Sequence, residues 1–363
     1  MRTEFAIVGA GMAGLSAANR LADRGADAVL IDAGRLPAHK VCGEFLSPEC
    51  IPILRNWGIE PPVTIDKARY HWGGRALEFE LPAPAAGCSR YQLDHLLAQR
   101  AGHKGVHVIT GTRVLTLKTP GETDGVSYDL ELESGETVKA ANLLVGTGRI
   151  PGVVPRGTPP RFRYVGYKMH FRGLDLAQTL VMFTFAGAYV GMANVAPGLA
   201  NLACLATEHD AAPVDGTDAY VRALCERPGG AALRELLASA EPVFADWMTA
   251  RVPAFGPRRT PRWPRALFIG DAAGSIHPAT GNGLGMAMTG GIMAADMALE
   301  GAWASYTAAW RRRYIPRLRW GSALHQAMLR PALSRAVGAT ATRVPALARY
   351  VFSKTREVQA ACR

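Results

Sequence analysis

The sequence predicts an α/β protein in which an antiparallel sheet interrupts a parallel one and a helical segment follows. The chain opens with the strand EFAIVG, a glycine turn, a helix and the strand AVLIDA, which together form a βαβ unit. Between residues 163 and 207, RYVGYKMHF, TLVMFTF and YVGMANV are short apolar runs separated by Gly and Pro, which is typical of antiparallel strands. From residue 283 onward the periodicity is helical, and Pro316, Pro331 and Pro345 predict breaks.

Composition places the chain among ordinary globular proteins, because 48% of its 363 residues are hydrophobic and 20% are charged. It has no run of about 18 apolar residues, so no membrane-spanning helix is expected. The first residues lack the layout of a signal peptide, and we expect a cytoplasmic protein that can contact a membrane peripherally. The six cysteines form no CxxC pair and have no zinc-like spacing with His, so we expect free thiols and no metal site.

The net charge of +11 belongs to the end of the chain. Residues 301–363 contain eleven Arg, one Lys and a single acid, Glu357, whereas acids and bases balance in the rest of the chain. The overall charge therefore does not indicate a nucleic-acid partner. Two interpretations of this basic segment remain open. It is either a helical cap with solvated arginines, or a docking surface for an acidic carrier protein or an anionic membrane.

The first chemical motif is a GxGxxG sequence between a strand and a helix. Glycines at this spacing let the backbone turn tightly and approach a pyrophosphate, which binds at the positive helix N-terminus. Asp32 ends the next strand, about 20 residues on, where a carboxylate accepts hydrogen bonds from ribose hydroxyls. The motif predicts a Rossmann-like domain that binds FAD or NAD(P). The predicted contacts are Gly9, Gly11, Met12, Ala13, Gly14, Asp32 and Ala33.

The second motif is the stretch GDAAGSIHPATGNGLGMAMTGG, residues 270–291, which follows the apolar strand ALFI. Its pairing with the first motif resembles the FAD-dependent oxidoreductases of the para-hydroxybenzoate hydroxylase and geranylgeranyl reductase superfamily. The resemblance implies that Asp271 hydrogen-bonds the ribityl chain of FAD and that residues 281–284 lie against the isoalloxazine ring. A planar ring needs backbone without side chains beside it, and the following helix N-terminus favours negative charge on the reduced ring. The implied contacts are Gly270, Asp271, Pro278, Gly281, Gly283 and Leu284.

Shorter segments carry further parts of the resemblance. KVCGE is similar to the K-x-C-G segment of geranylgeranyl reductase-like flavoproteins, which implies FAD contacts at Cys42 and Gly43. RYQLDHLL is similar to a helix start whose arginine, here Arg90, contacts the cofactor, and Val114 falls where the family's backbone binds adenine. GEFLSP resembles the G-E-S-x-x-P segment of flavin-dependent halogenases, but W-x-W-x-I-P is absent, which disfavours halogenation.

The motifs and strand runs divide the chain into six segments. The substrate domain is expected to be an α+β insertion, built on an antiparallel sheet, into the FAD-binding domain. The expected segments are FAD-binding domain at 1–65, 89–158 and 262–300, substrate domain at 66–88 and 159–261, and a basic C-terminal helical segment at 301–363.

Three residues are candidates for proton transfer. His277 lies where substrate would meet the flavin, and a histidine there can deprotonate a phenol or protonate a carbanion. Its alternative role is that of a loop histidine with a backbone partner. Cys42 is the second candidate, with a small core residue as the alternative interpretation. Tyr189 is the third, because YVGM resembles an aromatic-rich strand of the reductases, although the tryptophan of that strand is missing.

Three functions are compatible with these motifs. The leading hypothesis is a single-component monooxygenase of secondary metabolism, which takes electrons from NAD(P)H and hydroxylates a hydrophobic aromatic or polyketide-like molecule. The alternative is a reductase or dehydrogenase acting on a carbon–carbon double bond, which Cys42 and the GDAAG variant favour. The third hypothesis is a flavin-holding scaffold that recruits a partner through its basic end.

Overall fold

The computed structural model describes residues 1–121, 127–149, 162–211 and 216–357. Its strands are β1 (Arg2–Val8), β2 (Ala28–Asp32), β3 (Phe45–Leu46), β4 (Val63–Trp72), β5 (Arg75–Gly87), β6 (His107–Thr110), β7 (Val114–Lys118), β8 (Tyr128–Leu132), β9 (Thr137–Val145), β10 (Phe162–Arg172), β11 (Thr179–Phe185), β12 (Ala188–Ala196), β13 (Leu199–Thr207), β14 (Glu241–Pro242), β15 (Met248–Pro253), β16 (Gly256–Pro257), β17 (Ala266–Phe268) and β18 (Gly274–Ser275). Its α-helices are α1 (Met12–Asp23), α2 (Cys50–Asn56), α3 (Arg90–His103), α4 (Glu208–Ala211), α5 (Thr217–Glu226), α6 (Ala231–Ala238), α7 (Gly283–Leu299), α8 (Trp303–Leu329), α9 (Pro331–Arg343) and α10 (Pro345–Lys354). Two short 3-10 turns span Gly270–Ala272 and Pro278–Thr280.

The first sheet contains the predicted βαβ unit. Its order is β6-β2-β1-β9-β8-β7, and β17 pairs with the end of β9. Strands β6, β2, β1, β9 and β17 run parallel, whereas β7, β8 and β9 form an antiparallel meander. Helix α1 packs against α3 and α7, and the middle of β1 and β2 is fully buried, as expected for central strands of a parallel sheet. Because β1 and β17 are parallel, the two glycine motifs follow them at the same edge of the sheet.

The second sheet is the predicted insertion. Its order is β14-β10-β13-β12-β11-β4-β5-β3, with β15 also paired to β10. Strands β10, β13, β12 and β11 are antiparallel as predicted, while β4 and β11 form a parallel pair. On β10, Met169 and Phe171 pack into the apolar core beneath α5 and α6. Side chains alternate along a strand, so Lys168 and His170 lie on the opposite face.

Two of the three predicted helix breaks in the C-terminal segment are confirmed. Pro331 and Pro345 occupy the first positions of α9 and α10, where a missing N–H costs nothing. The break predicted at Pro316 is wrong, because α8 runs through this residue. Pro316 is exposed, and the carbonyl of Arg312 that loses its helical donor is on the exposed side of α8, where water can replace the bond.

The cysteines of the described ranges are free thiols, as predicted: Cys42, Cys50, Cys88, Cys204 and Cys225. Burial raises the pKa of Cys88 to about 12, and it raises the pKa of Cys50 well above its usual value. These two thiols are therefore protonated and uncharged at neutral pH, as expected for core residues. Cys362 lies outside the described residues.

No helix within the described ranges combines the length and the apolar character needed to cross a bilayer. The six-segment division of the chain stays a prediction. The two sheets give it a physical basis, because β4 and β5 (residues 63–87) and β10 to β15 (residues 162–253) belong to the second sheet and the intervening strands to the first.

Candidate functional site

The loop between β1 and α1 uses its three glycines for different purposes. Gly9 has a φ of +108°, and a Cβ there would lie 2.3 Å from the carbonyl oxygen of Gly146. A Cβ on Gly14 would lie 1.9 Å from the carbonyl oxygen of Gly9, so the helix starts in direct contact with the turn. A Cβ on Gly11 would meet no heavy atom within 4 Å, and Gly11 caps α1 without a side-chain hydrogen bond. The first N–H groups of α1 are therefore available to a phosphate.

Asp32 ends β2 beside this loop. Its carboxylate accepts hydrogen bonds from the N–H groups of Ala10 at 2.5 Å and Gly34 at 2.7 Å. It therefore fixes the glycine loop in addition to standing at the predicted ribose position. Ala33 is exposed next to it, and Val114 begins β7 shortly after β6, the strand that pairs with β2. The N–H of Thr112, two residues before Val114, donates to the carbonyl of Asp32, so the predicted ribose and adenine segments are in contact, while their cofactor contacts stay predictions.

The second glycine motif folds back onto the first. Gly270 has a φ of +59°, and a Cβ there would lie 2.7 Å from the Cβ of Ala13. Gly291, in α7, would place a Cβ 2.2 Å from the carbonyl oxygen of Ala13. Met12, beside this contact, is buried. Because both glycines contact the start of α1, two segments far apart in sequence form one site.

Asp271 lies at this junction and pairs with Arg149. The Arg149 Nε donates to Asp271 Oδ2 at 3.0 Å, and both side chains are about one-third exposed, at 31% and 34%. The Asp271 carboxylate is therefore partly accessible to a hydroxyl donor. The ribityl contact of Asp271 stays a prediction, and Arg149 was not predicted as a partner, although it ends the LLVGTGR stretch that begins in the last three residues of β9.

The loop before α7 forms a cradle with little side-chain bulk. Gly281 has a φ of +60°, and a Cβ there would lie 2.9 Å from the ring of Phe45. Gly283 begins α7, is exposed, and would place a Cβ no closer than 4.0 Å to Ile276. Pro278 is also exposed. Helix α7 has no side-chain cap and no acid in its first turn, so its N–H groups can bind an anionic ring edge.

These features fit FAD, the cofactor that the motifs imply. The starts of α1 and α7 are both free of side-chain caps, and both open positions, Gly11 and Gly283, lack the side chain that would fill the space. Leu284 is buried beneath the loop, so a contact to the ring would come from its backbone. The charges match as well, because phosphates and a reduced flavin are anionic and helix N-termini are positive.

A buried ionic cluster, which the sequence did not predict, ties the Cys42 segment to the second sheet. Glu44 has a φ of +55° and no exposed surface. Its carboxylate accepts hydrogen bonds from Lys168 Nζ at 2.5 Å, His170 Nε2 at 2.6 Å and the N–H of Arg90 at 2.8 Å. The left-handed backbone of Glu44 is uncommon for a residue with a side chain. These bonds hold it there, and they fix the position of Gly43, an exposed residue predicted to touch the flavin.

Glu44 is ionised despite its burial. Burial raises the pKa of Glu44, but the hydrogen bond from His170 and the charge of Lys168 outweigh burial and hold that pKa below its usual value. His39, Glu44 and His170 also offer ligand atoms within 4.8 Å of one another. The Lys168 ammonium already bonds this carboxylate and would repel a second cation, so the group favours an internal ion pair over a metal site.

Arg90 is buried at the start of α3 and is largely engaged within the protein. Its Nε and Nη2 donate to the two carboxylate oxygens of Asp94, both at 2.7 Å, and Lys40 Nζ lies 3.3 Å from the same carboxylate. The Cys42 thiol interacts with the same guanidinium. The predicted cofactor contact of Arg90 stays a prediction, and the Asp94 pairing leaves Nη1 as the nitrogen that could make it.

His277 and Tyr189 meet through His325, at a cluster between the α7 loop and the second sheet. The rings of His277 and His325 have centroids 4.3 Å apart. His325 Nε2 lies 3.1 Å from the hydroxyl of Tyr164, and its Nδ1 lies 3.4 Å from the hydroxyl of Tyr189. The Tyr189 hydroxyl also accepts from the N–H of Ala279 at 3.1 Å. The structure therefore brings together two of the three predicted catalytic residues and adds two that were missed.

Both histidines of this cluster are neutral near pH 7. Burial lowers the pKa of His277 to about 4, and burial lowers the pKa of His325 to about 3 with a further contribution from His277. The Nδ1 of His277 is buried and has no hydrogen-bond partner among the described residues. This atom is therefore free to bond a ligand that reaches the cluster.

Comparison with known proteins places these features in a family context. Residues 2–148 match a model of the FAD binding domain family. A menaquinone reductase of Mycolicibacterium smegmatis is 27% identical over 342 residues, covering 85% of this chain and 79% of that protein. Digeranylgeranylglycerophospholipid reductase 2 of Methanopyrus kandleri is 27% identical over 318 residues, covering 83% and 78%. Rifampicin monooxygenase of Rhodococcus hoagii is 28% identical over 151 residues, covering 39% and 31%.

Solved structures share the architecture. The flavin-dependent brominase Bmp2 aligns with a TM-score of 0.79 at 16% identity, covering 97% of this chain and 92% of that one. PqsL, a probable FAD-dependent monooxygenase from Pseudomonas aeruginosa, aligns with a TM-score of 0.72 at 15% identity, covering 93% and 99%. At these identities the likeness is one of fold, and it confirms the predicted combination of a Rossmann-like domain, an inserted sheet and C-terminal helices.

Proposed function

We propose that the chain is an FAD-dependent oxidoreductase of the superfamily that includes para-hydroxybenzoate hydroxylase and geranylgeranyl reductase, and that it reduces a carbon–carbon double bond in an apolar, lipid-like substrate. The motifs alone ranked hydroxylation first and this reduction second. The proposal reverses that order.

The proposal rests on how much of the chain aligns with each relative. The menaquinone reductase and the digeranylgeranylglycerophospholipid reductase align over more than four-fifths of the chain, so their alignments include residues of the second sheet. The rifampicin monooxygenase match covers 39% of the chain, too little to include the whole second sheet, whose strands extend from residue 45 to residue 253. Likeness to reductases therefore extends into the part of the protein that faces a substrate, which supports reduction over hydroxylation.

The face of the second sheet that is turned toward the α7 loop suits an apolar molecule. Gly191 of β12 pairs directly with Ala203 of β13, and both are only half-buried. The flexible side chain of Met182 lies over Gly191, where a Cβ would be 3.0 Å from its sulfur, so the surface here is apolar and adaptable. Tyr189 pairs with Leu205 one step along, and Leu205 packs with Val252 in a small apolar cluster. A chain-like or flat apolar substrate could lie over the small residues, where it would exclude water.

FAD, when bound, supplies the hydride that a double-bond reduction requires. The protein must then deliver a proton to the second carbon. We assign this proton to the thiol of Cys42, which is half-buried in the segment predicted to touch the flavin. Tyr189 is a poorer donor because burial raises its pKa well above the usual value. His277 is neutral and serves better as an acceptor or a positioning group.

Hydroxylation of a lipophilic phenol is the second candidate. The unpartnered Nδ1 of His277 favours it, because a neutral imidazole can accept the phenolic proton. With a pKa of about 4, His277 would be a weak base at neutral pH, which limits this role. Either reaction needs an electron donor, and we propose NAD(P)H, which enzymes with a single GxGxxG motif bind without a separate domain.

A single-turnover experiment separates the two reactions. The flavin of the purified protein is reduced without oxygen, and the protein is mixed with a polyprenylated quinone or with a long-chain alkylphenol, with and without oxygen. We expect the polyprenyl side chain of the quinone to gain two hydrogen atoms without oxygen, measured by mass spectrometry after the ring has been reoxidised, and flavin absorbance to return with the same rate constant. The same measurements with NADH and NADPH identify the donor.

Cys42→Ser tests the proton donor. We expect slower product formation with an unchanged rate of flavin reduction by NAD(P)H, because the thiol acts after hydride leaves the cofactor. A matched control is Cys225→Ser, on α5 away from the site. A product that instead contains one added oxygen atom, formed only with oxygen present, would overturn the reductase proposal in favour of hydroxylation.

A further inference from the structure

We propose that the outer surface of α8, α9 and α10 docks this protein on an anionic membrane. The C-terminal surface, as we name it, combines exposed apolar side chains with exposed bases. Its apolar members are Trp320, Leu333, Val337, Val344 and Tyr350. Its bases are Arg311, Arg312, Arg319, Arg330, Arg335, Arg343, Arg349 and Lys354. The inference holds for either reaction above, because it concerns where the enzyme works and not what it does.

Exposed apolar side chains are concentrated on this surface. Eight large hydrophobic residues are exposed among the described residues, and five of them belong to it. The rings of Trp320 and Tyr350 meet edge to face with centroids 6.1 Å apart, so α8 and α10 present one aromatic group. Leu333 and Val337 are four residues apart on α9 and therefore share a flank of that helix, which Val344 extends at its end. Such a grouping is typical of an interaction surface.

The positive charge of the surface is not neutralised from within. Glu357 is the acid of this segment, and it is bound by Arg313 and Arg317 on its inner side. Arg356 is buried and donates to the carbonyl of Thr280. The eight bases of the C-terminal surface form no ion pair with the described residues, so their field extends into solvent.

A lipid surface matches this combination better than an acidic protein does. Trp and Tyr partition to the membrane interface because their rings are amphipathic. Leu and Val on one helix flank can enter the headgroup region while neighbouring Arg and Lys bind anionic headgroups. An acidic carrier protein would be attracted by the same bases. It would not explain the exposed aromatic pair and the apolar flank of α9.

The C-terminal surface also lies on the back of helices that close the candidate site. On its inner side α8 carries His325, and Gly321 would place a Cβ 3.0 Å from the side chains of Ile276 and Thr280. Arg356 follows α10 and bonds the Thr280 carbonyl. A membrane bound at the outer side would therefore lie one helix layer from the loop that forms the flavin cradle, which suits a substrate dissolved in the bilayer.

Vesicle flotation with the full chain tests the proposal. We expect the protein to float with vesicles of phosphatidylcholine plus phosphatidylglycerol, to stay in solution with phosphatidylcholine alone, and to dissociate as salt rises. Arg343→Glu/Arg349→Glu/Lys354→Glu should weaken binding by about two orders of magnitude. Each base near an anionic surface raises the affinity about fivefold, and three bases are lost. Trp320→Ser/Tyr350→Ser should weaken it by about tenfold and leave its salt dependence unchanged, because no charge is removed.

Matched controls carry the same chemical changes elsewhere. Leu115→Ser removes an apolar side chain that is 63% exposed on β7, and Arg222→Glu/Arg234→Glu reverses two exposed bases on α5 and α6. Both should bind vesicles as the wild type does. Flavin content and the thermal midpoint report folding of every variant. Equal binding by the surface variants and the controls would overturn the proposal, as would binding of an acidic acyl carrier protein with no binding to vesicles.

Discussion

The glycine loop at the start of α1 and the ionic cluster around Glu44 lie in the same candidate site but are built in opposite ways. The loop positions backbone groups, and each glycine is required by a close approach or by open space. The cluster positions side chains, and its members come from the Cys42 segment, α3 and β10. Backbone recognition therefore leaves a motif within one short segment, whereas a side-chain cluster is dispersed along the chain. Four experiments test this contrast, from the largest expected effect to the smallest.

Gly14→Val should have the largest effect. Its Cβ would lie 1.9 Å from the Gly9 carbonyl oxygen, so α1 could not start against β1. We expect little folded protein and no bound FAD, measured by solubility and by absorbance at the flavin band. Gly11→Ala is the matched control, since its Cβ meets no heavy atom within 4 Å. It should keep the wild-type thermal midpoint without FAD and bind FAD more weakly. A yellow Gly14→Val protein with a wild-type midpoint would contradict the assignment of this glycine.

Lys168→Met tests the ionic cluster. It leaves the fully buried Glu44 carboxylate with one counter-charge fewer, and we expect a loss of about 3–5 kcal/mol in the free energy of unfolding, measured with urea. Glu44→Gln in the same chain should recover much of that loss, because the remaining charge is gone. Lys118→Met breaks an exposed pair with Glu131 and should leave the free energy of unfolding unchanged. Equal losses for the single and double variants would mean that packing, and not charge, dominates at Lys168.

The neutral histidines predict a pH-dependent stability. The pKa values of about 4 for His277 and about 3 for His325 are below the unfolded value, so the unfolded chain binds more protons between pH 6.5 and 4. The free energy of unfolding should therefore fall with falling pH in this window, by about 1.4 kcal/mol per pH unit for each histidine. His325→Gln should flatten the dependence, and His103→Gln, at an exposed position, should not. Identical slopes for the two variants would show that His325 does not titrate as described.

Asp271→Ala should have the smallest effect of the four. The side chain is one-third exposed and its partner Arg149 can turn to solvent, so we expect little change in the thermal midpoint of the protein without FAD. FAD affinity should fall about ten- to a hundredfold, as for loss of a hydrogen bond to a charged acceptor. Titration of flavin fluorescence measures it, and an unchanged dissociation constant would remove Asp271 from the cofactor site.

The features that could be predicted from the sequence are the local ones, as in the glycine loop, and not the dispersed ones, as in the ionic cluster. The βαβ unit, the apolar strands of β10 to β13 and the glycine motifs were found because each is a local pattern of apolar periodicity or of glycine spacing. The helix break predicted at Pro316 was wrong, because the exposed face of α8 tolerates the missing backbone hydrogen bond. The short strand β3 was not predicted, because it depends on pairing with β5 and has no signal of its own.

The missed site residues had weaker signals. Lys168 and His170 are two apart in an apolar strand, so the alternation of β10 would place both on one face, and this could have suggested a buried partner. Glu44 belongs to the KVCGE segment, but the motif predicted no role for it. His325 had no signal at all, because it is one polar residue in a long helix and its neighbours Tyr164 and Tyr189 are on distant strands. Contacts of this kind are set by tertiary packing.

The hydrogen bond from Arg356 to Thr280 has a consequence for biosynthesis. The candidate site is assembled from segments that include Gly14, Gly270 and Arg356, which are synthesised at widely separated times. At ordinary translation speeds the interval between the first two is roughly 10–50 s. During this interval the start of α1 has no α7 to pack against, and the nascent domain exposes apolar surface. We therefore expect FAD to bind late, after translation of the helices that close the loop.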